Sequence, residues 1–326
     1  MGWSVSEIIK FDKITVGATR PALKQSHQAR ILCKTIILDG IEGSPLPLEK
    51  ELPMLEAPYP ELDDLLHMMG EAGRHIADIE ASEGAAGNIS ICLRWSVEPR
   101  SRFPLVKEYQ LPQSVPELAG ATFLVSGSGR RLREIIDEPT ANIACLVVNE
   151  GGQTAKLYTS YHSRFERVTS EFNSHLAVHY DQIRLTGTNF HAVIHAQPVH
   201  LTYLSHIPRY QDETYLNTHL LRWQPENIIN LPEGIGFLPF KLPGSPDLMA
   251  GNVESLRQHR IVIWAKHGVM ARSDISVKRA ADRVEYAETA AKYEYLNLTA
   301  GEIGEGLSPQ EIRAICAAFN IKQNIF

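Results

Sequence analysis

The sequence predicts an α/β fold built on a sheet that is at least partly antiparallel. Strand-like and helix-like runs alternate after residue 60, which is the pattern of helices layered on a sheet. Two β-rich runs, residues 144–148 and 155–160, are separated only by a short stretch containing Gly151 and Gly152. A connection that short has no room for a crossover helix, so these two strands pair antiparallel.

Taken in order, residues 31–38 (ILCKTIIL) read as one buried strand. Pro45, Pro47, Pro53, Pro58 and Pro60 crowd residues 44–60, and because each removes a backbone donor the segment reads as an extended strap. Leu62, Leu65, Leu66, Met69, Ala72, Ile76 and Ile79 then recur at helical spacing, so an amphipathic helix opens the main domain. The expected organisation is an extension over residues 1–60 and one domain over 61–326. Strands are expected at 88–95, 122–125, 144–148, 155–160, 192–195 and 260–265, from their short β-rich runs. Helices are expected after Ser170, Pro198, Pro246 and Ser276. The last helix is signposted by Ser308-Pro309-Gln310-Glu311, which sets an N-cap, a first-turn proline and a capping-box glutamate in register.

Composition narrows the function classes. The 326 residues are 44% hydrophobic and 21% charged, the profile of a soluble globular chain. A net charge of -6 lacks the basic stripe that neutralises phosphates, so nucleic acid is not expected as a partner. No apolar run approaches membrane-spanning length and the first residues build no signal-peptide core, so neither membrane insertion nor secretion is expected. Residues 1–6 match the myristoylation pattern, but no polybasic segment follows as a second anchor. Cys33, Cys92, Cys145 and Cys316 form no CxxC pair, which fits reduced thiols in the cytoplasm. Thirteen histidines against four cysteines direct attention to imidazole chemistry.

Four places carry more chemistry than packing requires. Residues 84–90 (GAAGNIS) and 126–131 (SGSGRR) are turns whose backbone N–H groups can cradle a phosphate, with Arg130 and Arg131 adding charge. Taken singly, such turns are also the common way to end a strand. Thr169 or Ser170 can cap a helix whose first turn holds Glu171, and spacing places Glu171, His175 and His179 on one face. His-x3-His is a metal-compatible spacing, but the blander reading is a pair of partly buried histidines. Glu171 is the sharper candidate, as a general base beside a hydroxyl-rich turn. On the strand 191–197, His195 and Gln197 project to the same side. With His267 at the end of a second strand they form an incomplete version of a three-histidine zinc site.

In this order the stretches resemble the class II aldolase/adducin family. The matches are GNIS (87–90), FLVSGSGR (123–130), TSE (169–171) with its two downstream histidines, and VIHAQ (193–197). GIGFLPFKLPGS (234–245), IVIWAKHGVM (261–270) and the capping-box helix extend the likeness over about residues 61–322. The resemblance implies a three-layer αβα domain with a mixed, mostly antiparallel central sheet, assembled as a homotetramer. It also implies a divalent metal, zinc, with His195 and His267 as ligands and Gln197 where a histidine is expected. Asn88, Ser128, Gly129, Thr169 and Ser170 match phosphate-holding positions, Ala85 replaces a frequent threonine or asparagine, and Glu171 matches the acid/base glutamate.

The implied activity is reversible aldol cleavage of a ketose 1-phosphate, of the rhamnulose or fuculose type, to dihydroxyacetone phosphate and an aldehyde. The alternative is a non-catalytic, adducin-like binding or scaffold member with a degenerate metal site. Gln197 keeps both readings open, because a carboxamide oxygen is a weaker donor than imidazole. His200 could supply the missing nitrogen only if the chain turned into a helix at Pro198 and brought it back, and the sharp bend this needs is not expected.

Overall fold

The computed structural model describes residues 54–326; the strand expected at 31–38 and most of the proline strap lie outside the described residues. Nine strands form one sheet: β1 (Asn88–Leu93), β2 (Leu105–Gln110), β3 (Thr122–Ser126), β4 (Ile143–Val148), β5 (Thr154–Thr159), β6 (Phe190–Ala196), β7 (Gly236–Leu238), β8 (Ile261–Trp264) and β9 (Gly268–Ser273). Their order is β2-β5-β4-β3-β1-β6-β9-β8-β7. Every neighbouring pair is antiparallel except β7 with β8.

Nine α-helices accompany them among the described residues. They are α1 (Leu62–Asp78), α2 (Pro139–Asn142), α3 (Phe172–Thr186), α4 (Val199–Leu204), α5 (Glu213–Leu220), α6 (Pro225–Asn230), α7 (Pro246–Gln258), α8 (Val277–Thr299) and α9 (Pro309–Ala318). The expected helix starts hold where a side chain can cap them: Ser245, Ser276 and Ser308 each accept an N–H from the first turn. No helix among the described residues is long and apolar enough to cross a membrane.

The alternation of the central strands makes the three layers. Ile89, Ile91 and Leu93 of β1, with Ala192 and Ile194 of β6, join one core that also holds Leu65, Met69 and Ile76 of α1 and Val284 and Ala287 of α8. The opposite face carries Phe123 and Val125 against Phe172 and Leu176 of α3. Farther along the same face, Val262 and Trp264 meet Val178 of α3 and Leu248 of α7. By the two-residue period of a strand, Asn88, Ser90, His191 and His195 also face α3. The register sets Asn88 directly opposite His195.

Three strands lack a legible signal. Edge strand β2 exposes Leu105 and Val106, so it buries no apolar face, and β7 spans only 3 residues. β9 returns on β8 through a short turn, and no turn signal separates the two arms in the run 261–270. β1 also ends at Leu93 rather than at residue 95.

Candidate active site

Glu171 stands at the N-cap of α3, not in its first turn as expected. Neither Thr169 nor Ser170 caps the helix; Thr169 Oγ1 instead accepts the Glu171 N–H at 3.3 Å. The Glu171 carboxylate caps nothing and turns toward the sheet, where the Asn88 amide donates to its Oε2 at 3.0 Å. His195 Nε2 lies 3.7 Å from the same oxygen, and His267 Nε2 lies 4.0 Å from the other. Burial by itself would raise the Glu171 pKa. The neighbouring His195, the Asn88 bond, His175 and His267 outweigh it and hold the group below the ordinary carboxylate range, so it is ionised at neutral pH.

His195 is buried and its ring is fixed on two sides. It stacks on Trp264, with centroids 4.5 Å apart, and its Nδ1 donates to the Val269 carbonyl at 2.9 Å. That bond leaves Nε2 as the ring atom facing Glu171. His267 arrives from the turn between β8 and β9, where Lys266 takes a left-handed φ of 64°. Gly268 lets that turn close on β6, since a Cβ there would stand 2.4 Å from the Ala196 carbonyl oxygen. Burial, then the neighbouring His195, lower the His267 pKa against the pull of Glu171, which favours the neutral imidazole a cation requires.

One donor atom each from Glu171, His195 and His267 lies within 4.8 Å of the others. Two imidazole nitrogens and a carboxylate suit a borderline divalent cation, so these residues fit the implied metal. Gln197, just beyond β6, lines the same hollow. His200 does not join it. The chain does turn into a helix after Pro198, as expected, but this does not bring His200 back to the site: its Nδ1 bonds Glu288 at 2.6 Å.

The hollow encloses about 170 Å³ and brings together Asn88, Ser128, Gly129, Thr169 and Ser170 with Glu171, His195, Gln197 and His267. Ala85 lines it too, offering no side-chain donor. Arg130 does not lend it charge. Its guanidinium is spent on Asn142, the Arg164 carbonyl and Glu134, and Arg131 stands half-exposed near Glu134. A larger, open hollow of about 630 Å³ adjoins through Gln197 and His267 and holds Arg133, Glu83, Tyr203 and His206. His175 and His179 are not partly buried but wholly so, and rather than forming a metal pair they share the Ser90 hydroxyl.

A family model described as "Class II Aldolase and Adducin N-terminal domain" matches residues 68–295. The chain belongs to the class II aldolase and adducin family. Among this family's members it is similar to the rhamnulose-1-phosphate aldolase of Yersinia pestis (strain Pestoides F), with 28% identity over 244 residues, 73% of this chain and 87% of that protein. It is also similar to a sugar-phosphate aldolase structure from Thermotoga maritima, at 27% identity and a TM-score of 0.61, covering 74% of this chain and 98% of that one. YgbL from Klebsiella pneumoniae, titled a putative aldolase/epimerase/decarboxylase, shares the fold at 18% identity and a TM-score of 0.54, over 79% of this chain and 100% of its own. The layered class II aldolase fold expected from the sequence is therefore the fold observed.

Proposed function

We propose that the protein is a metal-dependent sugar-phosphate aldolase that reversibly cleaves a ketose 1-phosphate to dihydroxyacetone phosphate and an aldehyde. The observation that carries this reading is that an ionised, buried carboxylate, two imidazole nitrogens and a hydroxyl- and glycine-rich rim open into one small hollow. The similar proteins from Yersinia pestis and Thermotoga maritima are a rhamnulose-1-phosphate aldolase and a sugar-phosphate aldolase, which supports this reading.

In this reading Ser128, Thr169 and Ser170 offer hydroxyls, and Gly129 a backbone N–H, to the substrate phosphate. Asn88 gives its oxygen to His175 and one N–H to Glu171, leaving its second N–H for the ligand. Anchoring the phosphate fixes the three-carbon half of the substrate against Glu171, which removes the translational and rotational part of the barrier. A divalent ion, zinc in this reading, bound by His195, His267 and an oxygen of Gln197 or Glu171, would supply Lewis-acid polarisation of the ketone oxygen.

Glu171 moves the proton at C3. In the direction of condensation it takes a proton from C3 of dihydroxyacetone phosphate. The electron pair left behind forms the C3–C4 bond to the aldehyde carbon as the carbonyl pair moves onto oxygen, and that oxygen takes the proton back from Glu171 to end as a hydroxyl. In cleavage the C4 hydroxyl gives its proton to the Glu171 carboxylate, the C3–C4 bond breaks as the C4–O pair becomes the aldehyde carbonyl, and Glu171 passes that proton to C3. A homotetrameric, cytoplasmic enzyme belongs to the same reading, and light scattering on the purified protein checks the assembly.

The test joins elemental analysis of protein purified without chelator to a cleavage assay on rhamnulose 1-phosphate and fuculose 1-phosphate. Bound metal and release of dihydroxyacetone phosphate are expected. Protein that holds no metal and cleaves neither sugar would overturn the proposal. Gln197 in a ligand position favours the second reading, an adducin-like binding member; restoring histidine there without gaining metal would select it.

A further inference from the structure

Three histidines that the proposed chemistry does not use, His175, His179 and His191, are fully buried, together with Ser90. Buried imidazoles persist when their hydrogen bonds are met, and these are met almost entirely by one another. Ser90 Oγ lies 2.7 Å from His175 Nδ1 and 2.7 Å from His179 Nε2. His179 Nδ1 lies 2.8 Å from His191 Nδ1. At the other end His175 Nε2 meets the Asn88 oxygen, and the Asn88 nitrogen meets Glu171. The contacts run in series from β6 through α3 and β1 to the carboxylate.

The direction of every bond follows from its ends. Burial drives the His175 pKa down to about 3 and those of His179 and His191 well below the ordinary value, with Arg272 and Arg283 adding to the effect at His191. Each ring is therefore neutral, with one donor and one acceptor nitrogen. At the near end the geometry sets the direction: Asn88 presents its NH2 to Glu171 at 3.0 Å and its oxygen to His175 Nε2. His175 then carries its proton on Nε2, and its Nδ1 accepts from the Ser90 hydroxyl. Ser90 in turn accepts from His179 Nε2–H, and His179 Nδ1 accepts from His191 Nδ1–H. All five donors point toward Glu171.

We propose that Ser90, His175, His179 and His191 are positioning residues for Glu171, a one-way hydrogen-bond chain that locks the Asn88 amide and through it the orientation of the carboxylate. An apolar residue in place of His175 would leave the Asn88 oxygen without its donor and free the amide to flip. Its oxygen would then face the carboxylate and repel it. The role in turnover rests on the aldolase reading; the chain itself does not.

Nitrogen-15 spectra of the full-length protein read the tautomers directly. We expect His175 and His179 protonated at Nε2 and His191 at Nδ1, with a slowly exchanging Asn88 side-chain amide. Ser90→Ala is expected to release that amide and to lower kcat about 10- to 100-fold with KM unchanged. Ser90→Thr, which keeps the hydroxyl, is expected to retain both. His175 protonated at Nδ1 in the unaltered protein, or a folded Ser90→Ala protein whose Asn88 amide is undisturbed, overturns the proposal. So does an unchanged kcat in an active Ser90→Ala enzyme. If the unaltered protein cleaves no ketose 1-phosphate, the aldolase reading fails, while the tautomers and the Asn88 amide still decide for or against the chain.

Discussion

The Asn88 amide donates to the Glu171 carboxylate at 3.0 Å, joining two residues 83 positions apart in the chain. One is the first residue of a central strand and the other stands at the start of a helix on the sheet's face. Because Glu171 is not used to cap its helix, its oxygens are left for Asn88, His195 and His267.

Replacing Glu171 with glutamine removes the proton acceptor while keeping an oxygen for Asn88. The expected result is a fall in kcat of about 10²–10⁴-fold, the range for a positioned acid/base group. Substrate affinity should change little, and circular dichroism should show an intact fold. Undiminished cleavage would place the base elsewhere.

Gln197→His would convert a weak carboxamide donor into an imidazole beside His195 and His267. Zinc retained after dialysis against a chelator should rise by about tenfold or more, as a direct ligand should count for at least as much as the outer partners of ligands do. Metal content measured by elemental analysis, set beside activity, checks this.

The buried histidines make stability depend on acid. In the folded protein His175, His179 and His191 remain neutral at mild acid pH, because burial depresses their pKa values. In the unfolded chain they bind protons below about pH 6.5. The sign follows: the unfolded state holds more protons, so stability is fully present above about pH 6.5 and is lost progressively as pH falls below it. For His175 the loss continues to about pH 3. Unfolding at pH 5 should take up about three protons on account of these residues, measurable by calorimetry in buffers of different ionisation enthalpy. Uptake near zero would contradict their neutral burial.

Gly73 in α1 reverses the usual helix rule. Alanine is favoured over glycine inside a helix by about 1 kcal/mol. Here a Cβ would stand 2.5 Å from the Leu132 carbonyl oxygen, which is backbone and cannot rotate away. Overpacking of this kind costs about 1–3 kcal/mol, so Gly73→Ala should lower the urea midpoint rather than raise it.

Local signals account for what was legible in the sequence. The apolar spacing from Leu62 to Ile76 and the serine caps at 276 and 308 mark helices whose causes lie within a few residues. Strands β2, β7 and β9 were illegible because nothing local distinguishes an exposed edge, a three-residue pairing or the return arm of a turn. Among site residues, motif order singled out Asn88, Ser128, Gly129, Thr169, Ser170, Glu171, His195, Gln197 and His267, and the fold gathers them around one hollow. Arg130 looked like part of the anion loop, and only the fold showed its charge turned to Glu134 and Asn142.

By itself the sequence determined the order of the elements, the layered class and the residue types able to do chemistry, since periodicity, caps and motifs act over short stretches of chain. Tertiary structure alone decided which of those groups meet. Strand register set Asn88 beside His195, packing of α3 on the sheet brought Ser90 between His175 and His179, and a bend at Pro198 sent His200 to Glu288. A hydrogen-bond partner across the sheet is fixed by the pairing and packing of distant segments, and no local pattern encodes it.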